Sequence, residues 1–117
     1  MKLPSGLVIQ DRKLTHYLLV YQAEDDKSEF LASAGYTLQN WQLLKRDILK
    51  AMTIAELAEV MPTDWGTRFK VKAQWDGLNG QRLKVIVIWQ QDDGSDAIRL
   101  VTLYPDKARA SGTGKEG

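Results

Sequence analysis

The chain contains no cysteine, which removes disulfide staples, thiolate metal sites and a cysteine nucleophile together. It has one histidine, His16, so imidazole acid–base chemistry rests on that residue, and a metal site would need to be built almost wholly from carboxylates. Long apolar runs are missing too. None approaches the roughly 18 residues of a membrane-crossing helix, and the amino terminus lacks the basic start and apolar centre of a signal peptide. The expectation is a cytoplasmic protein with no membrane span, no metal and no cofactor. No glycine-rich phosphate loop precedes a helix, and Ser33, Ser95 and Ser111 lack a nucleophile-elbow context, which argues against P-loop enzymes and serine hydrolases. A large charge surplus is also lacking. Sixteen Lys and Arg stand against fifteen Asp and Glu, a net charge of +1, so the whole molecule is not a polycation.

What is present suits one soluble domain. The 117 residues are 44% hydrophobic and 26% charged, enough for one core and too few for two. A single domain over residues 1–106 is expected, and the small, polar residues of 107–117 read as a disordered tail.

The first half carries helical periodicity. Leu14, Tyr17, Leu18 and Tyr21 repeat at three and four residues after Asp11, which predicts an amphipathic helix over 12–21. A second helix is expected over 26–34, ending at Gly35, and a third over 38–51 behind a Thr37 cap. Glu24, Asp25 and Asp26 lack the spacing of a calcium loop and read as charge at a helix start. Thr53 and Glu56 have capping-box spacing, so a short fourth helix is expected up to Pro62.

After Pro62 the period becomes two. Strands are expected over 67–75, 82–90 and 97–104, separated by DGLNG and DDGSD, with a short strand at Leu7 to Gln10 on the sheet edge. The fold class expected is therefore α+β, with N-terminal helices packed on a C-terminal antiparallel meander of three to four strands.

The strand RFKVKAQW, residues 68–75, places Phe69, Val71, Ala73 and Trp75 on one face and Arg68, Lys70 and Lys72 on the other. Like charges in neighbouring sheet positions cost up to about 1 kcal/mol. A face holding Arg68, Lys70, Lys72 and Lys84, with Arg82 nearby, is therefore explained either by an anion that neutralises it or by a solvated edge that resists aggregation. RNA and an acidic protein are the two anions considered. Trp65, beside Gly66, is either core or an exposed ring on which a base stacks.

Taken together, KLTHYLL at 13–19, DKSEFLASAGYTLQNWQLLKRDIL at 26–49, WGTRFKV at 65–71, VIVIW at 85–89 and RLVTLYP at 99–105 resemble a family of small bacterial domains of unknown function. Its members are similar to short proteins encoded beside a small partner gene and to C-terminal domains of polymorphic toxins. The resemblance implies a toxin-like context, and the helices-then-strands order is similar to small metal-independent ribonucleases of the barnase and colicin type. It implies a site at Lys13, Lys27, Arg68 and Thr102, with Tyr104 close by. The lysines and arginine would hold phosphate, Thr102 would orient it, and His16 or Tyr104 would move protons, while Lys70, Lys72, Arg82 and Lys84 guide the RNA. The chain lacks the glycine-containing insert often found after the position of Tyr21, and His16 falls on no family position. The alternative is a non-catalytic immunity or adaptor module that binds protein through the basic sheet. Convergence of Lys13, Lys27, Arg68 and Thr102 in one cleft separates the two.

Overall fold

A computed structural model describes residues 6–23 and 26–106. Glu24, Asp25 and the expected tail at 107–117 lie outside the described residues. The order of elements is β1 (Leu7–Val8), a helical turn α1 (Asp11–Lys13) continuing as a π-helical turn (Leu14–Leu18), α2 (Ser28–Ala32), a 3-10 turn (Leu38–Asn40) leading into α3 (Trp41–Ala51), β2 (Glu56–Thr63), β3 (Gly66–Asp76), β4 (Arg82–Asp92) and β5 (Ile98–Pro105).

The α+β class holds, but the meander description of the sheet is overturned. One mixed sheet of five strands has the order β1-β5-β4-β3-β2. β2 to β5 are antiparallel neighbours, and β1 joins the far edge parallel to β5 through Leu7 opposite Ile98 and Val8 opposite Arg99. A strand of two residues is too short for its pairing direction to show in any sequence period.

The fourth helix is the second correction, because its residues form edge strand β2. The hydroxyl of Thr53 donates to the Lys50 carbonyl at 2.8 Å and so closes α3 instead of opening a new helix. A bulge between Leu57 and Glu59 then puts two residues three apart on one face: Leu57 lies opposite Val71 and Val60 opposite Phe69. That spacing imitates a helix. Pro62 is tolerated because an edge strand has one side with no ladder to complete.

The helices cover one face of the sheet. Leu14, Leu18, Leu31, Leu44 and Ile48 meet Val71, Leu83, Val85, Val87, Trp89 and Leu103 in one buried cluster. The alternation of β4 accounts for this, since Leu83, Val85, Val87 and Trp89 are all 1% exposed or less. Thr37 starts the third helical segment, its N–H donating to Asn40 Oδ1 at 2.8 Å.

Tyr36 locks this layer to the sheet. Its hydroxyl donates to Asp47 Oδ2 at 2.6 Å and accepts from Trp75 Nε1 at 2.9 Å. Burial, and then the bond to the Asp47 carboxylate, raise its ionisation well above the ordinary tyrosine value. The unfolded chain therefore loses this proton first, so the contribution is complete below about pH 10 and falls as pH rises beyond it. Tyr36→Phe is expected to cost about 2 kcal/mol at neutral pH, since Asp47 and the Trp75 N–H lose a partner. The same variant should show a shallower fall in stability above pH 10; urea midpoints at pH 7 and in the alkaline range check both.

Candidate functional site

Alternation along β3 sends Phe69, Val71 and Ala73 into the core and turns Arg68, Lys70, Lys72 and Gln74 to the face that bears no helix. Register extends the pattern into rows across that open face. One row is Met61, Arg68, Gln90 and Arg99; the next is Glu59, Lys70, Ile88 and Thr102; the third is Glu56, Lys72, Ile86 and Tyr104. A second bulge, between Ile88 and Trp89 in the β4–β5 ladder, lets Arg99 and Thr102 share this face although they are three residues apart.

Arg68, Lys70 and Lys72 thus form a column along β3 at intervals of about 7 Å, two residues of strand rise each. Among the described residues, no carboxylate lies within 4.0 Å of Arg68, Lys70, Lys72 or Lys84. Arg68 is steered by Gln90, which is 3% exposed and whose Oε1 accepts from Arg68 Nε at 3.3 Å. Arg82, expected to contact nucleic acid, is paired with Asp76 at 3.0 Å, and Arg99 is paired with Asp92 at 3.3 Å.

The column has a distinct environment on each side. Glu59 and Glu56 of β2 stand opposite Lys70 and Lys72, an acidic border that the helical reading of 53–61 hid. On the other side Ile86 and Ile88 are buried outside the cluster joined by the helices. At the Lys72 end a groove of about 400 Å³ opens between Ile54, Glu56, Gln74 and Lys84. At the Arg68 end the β2–β3 turn presents Trp65, 70% exposed, which settles the choice between core and exposed ring.

The expected four-residue cleft does not form. Arg68 and Thr102 share the open face with Tyr104, whereas Lys13 and Lys27 lie in the helical layer on the opposite side of the sheet. Those two lysines each approach the same aromatic ring. Their Nζ atoms lie 5.2 and 5.9 Å from the centroid of the Tyr17 ring. Tyr17 was legible only as part of an apolar stripe; the π-helical turn that holds it, with its wider spacing, has no sequence signature. His16 is exposed in the same turn, its Nδ1 2.8 Å from Thr15 Oγ1. No group of three or more potential metal ligands occurs among the described residues, and no helix is long and apolar enough to cross a membrane.

The family model Domain of unknown function (DUF6883) matches residues 2–107. The chain belongs to that family. The match spans both the helical layer and the whole sheet, so the open face and the lysine pair fall within the family's domain. No curated protein and no solved structure matches the chain.

Proposed function

We propose that the domain binds single-stranded RNA along the open face of its sheet. One observation carries this reading: Arg68, Lys70 and Lys72 stand in a regular column free of ion pairs to described carboxylates. Their spacing of about 7 Å is close to the repeat between successive phosphates of an extended strand. Lys84 continues the positive track, and Trp65 at the other end offers an exposed ring on which a base can stack. The Glu56 and Glu59 border keeps the phosphates to one line by like-charge repulsion.

Binding is better supported than cleavage. The groups implied for metal-free cleavage are divided between the two sides of the sheet, and His16 lies on the side away from the column. Tyr104 and Thr102 border the RNA track and orient it through their hydroxyls. A toxin-like setting with a small cognate protein from a neighbouring gene belongs to the same proposal, that protein covering the open face when RNA is excluded.

The test is fluorescence anisotropy of a labelled single-stranded RNA over a salt series. The triple variant Arg68→Gln, Lys70→Gln and Lys72→Gln is expected to bind more than tenfold more weakly, and its salt slope should fall by about 2, near 0.7 for each lost contact. Trp65→Ala should weaken binding through lost stacking without changing the slope. Binding of polyglutamate but not of RNA would replace this reading with an acidic protein partner. An unchanged triple variant would remove the open face from either role.

A further inference from the structure

We infer that the end of β3, residues 73–76, is a docking edge for an extended peptide of a partner protein, one that alternates apolar and acidic side chains. The inference does not rest on RNA binding, because it concerns the backbone edge of the sheet and not its open face.

The ladder supplies the first observation. β2 pairs with β3 only as far as Glu56 opposite Lys72, while β3 runs on to Asp76 paired with β4 alone. The cause is local. The Thr53 and Ile54 N–H groups donate to the Lys50 and Ala51 carbonyls at 3.2 Å each, so the turn that closes α3 carries the chain off the line of β2. About 13 Å of strand is left with one flank open, and alternate residues along it direct their N–H and C=O outward. Among the described residues, no backbone group takes up those positions. An extended polypeptide presents donors and acceptors at the matching interval, which is the chemistry of strand addition.

The surroundings of the edge say what that peptide carries. A cavity of about 400 Å³ reaches Ala73 and another of about 330 Å³ reaches Trp75 and Asp76; Ala51, Ile54 and Gln74 line both, so the two adjoin along the edge. Ile54 is 84% exposed, a large apolar side chain in water beside an unfilled ladder. Alternation turns the peptide side chains opposite Ala73 and Trp75 to the helical side, against Ala51 and Ile54, where apolar groups fit. The side chain opposite Gln74 falls on the other side, diagonal to Lys72. Charge selects an acid there. Lys50, Lys72 and Lys84 line these cavities with no carboxylate within 4.0 Å among the described residues. Of the lining acids, Asp76 is paired with Arg82, Asp47 accepts from Tyr36 and Arg46, and Asp106 is engaged as well, which leaves Glu56 against three lysines. A second copy of the chain is a poorer occupant, since pairing this edge with itself brings the same lysines together.

The probe is the capped peptide VEVEV, titrated into the full chain and followed by the nuclear magnetic resonance signals of the backbone amides. Saturable binding is expected, with slowed hydrogen exchange at the outward-facing amides of residues 73–76. The capped peptide VKVKV should bind at least tenfold more weakly, and so should VEVEV to Ile54→Asp, a change at an exposed side chain that leaves the core intact. N-methylation of VEVEV separates a ladder from an apolar contact: methyl groups on the odd or on the even amides should abolish binding in one pattern and spare it in the other. Absence of saturable binding overturns the docking edge. So does equal binding of the two methylated peptides, or VKVKV binding as tightly as VEVEV. Slow exchange of the same amides before any peptide is added also overturns it: if independent of protein concentration it gives the edge to another segment of this chain, and if it grows with concentration, to a second copy. Protection by single-stranded RNA and not by VEVEV would give the edge to nucleic acid instead.

Discussion

Gly66→Ala is expected to cost about 4 kcal/mol or more, a large share of the 5–15 kcal/mol that holds a domain of this size together. Gly66 opens β3 with φ +157°, where a side chain is strained. A Cβ built there would also run into the Gln91 carbonyl oxygen, and would lie 2.9 Å from Asp92 Cα and 3.0 Å from Asp93 N. All three are backbone atoms of the adjacent strand end, so no rotamer change relieves the clash. The β3–β4 ladder would have to part where Asp93 N–H donates to the Trp65 carbonyl at 2.8 Å. Gly80 and Gly94 are the controls. Both have positive φ, +86° and +79°, but nothing lies within 4 Å of an added Cβ, so alanine there should cost only about 1 kcal/mol of backbone strain. Urea denaturation of the three variants checks the difference; equal midpoints would refute the close-approach argument.

The second large effect is expected at Trp89. It is the largest fully buried side chain, at 0% exposure on β4, and lies opposite Phe69 on one neighbour and Leu100 on the other. Trp89→Ala should cost about 3–5 kcal/mol, the range for emptying a large aromatic from a core. Trp89 Nε1 has no hydrogen-bond partner among the described residues, so Trp89→Phe deletes a buried donor that makes no bond to them and should cost well under half as much. Thermal unfolding of the pair reads this directly. If Phe proves as costly as Ala, the indole N–H has a partner after all.

Most of the layered plan was legible in the sequence. Leu83, Val85, Val87 and Trp89 alternate with Lys84, Ile86 and Ile88, and the structure places the first set in the core. The two bulges resisted reading for a common reason. At Ala58 and at Val101 an extra residue shifts the alternation, so Leu57 pairs with Val60, and Leu100 with Leu103, on one face at a spacing of three. Three is a helical interval. In β5 the strong β-formers on either side still point to a strand, whereas in β2 the Thr53 and Glu56 spacing tipped the reading to helix and hid the acidic border of the column. The candidate site was half legible for another reason. Periodicity reports the face a residue occupies on its own element, and so gathered Arg68, Lys70 and Lys72; it carries no information on which side of the sheet a helix lies, and so could not separate Lys13 and Lys27 from them.

The irregular β2 strand also decides how the molecule behaves in company. A free strand flank invites a neighbouring copy to continue the ladder, the first step towards fibrous growth. Here the kink at Ala58, the missing N–H of Pro62 and the carboxylates of Glu56 and Glu59 spoil that flank as a template. If the proposed RNA binding holds, copies bound along one strand would not be joined through this edge.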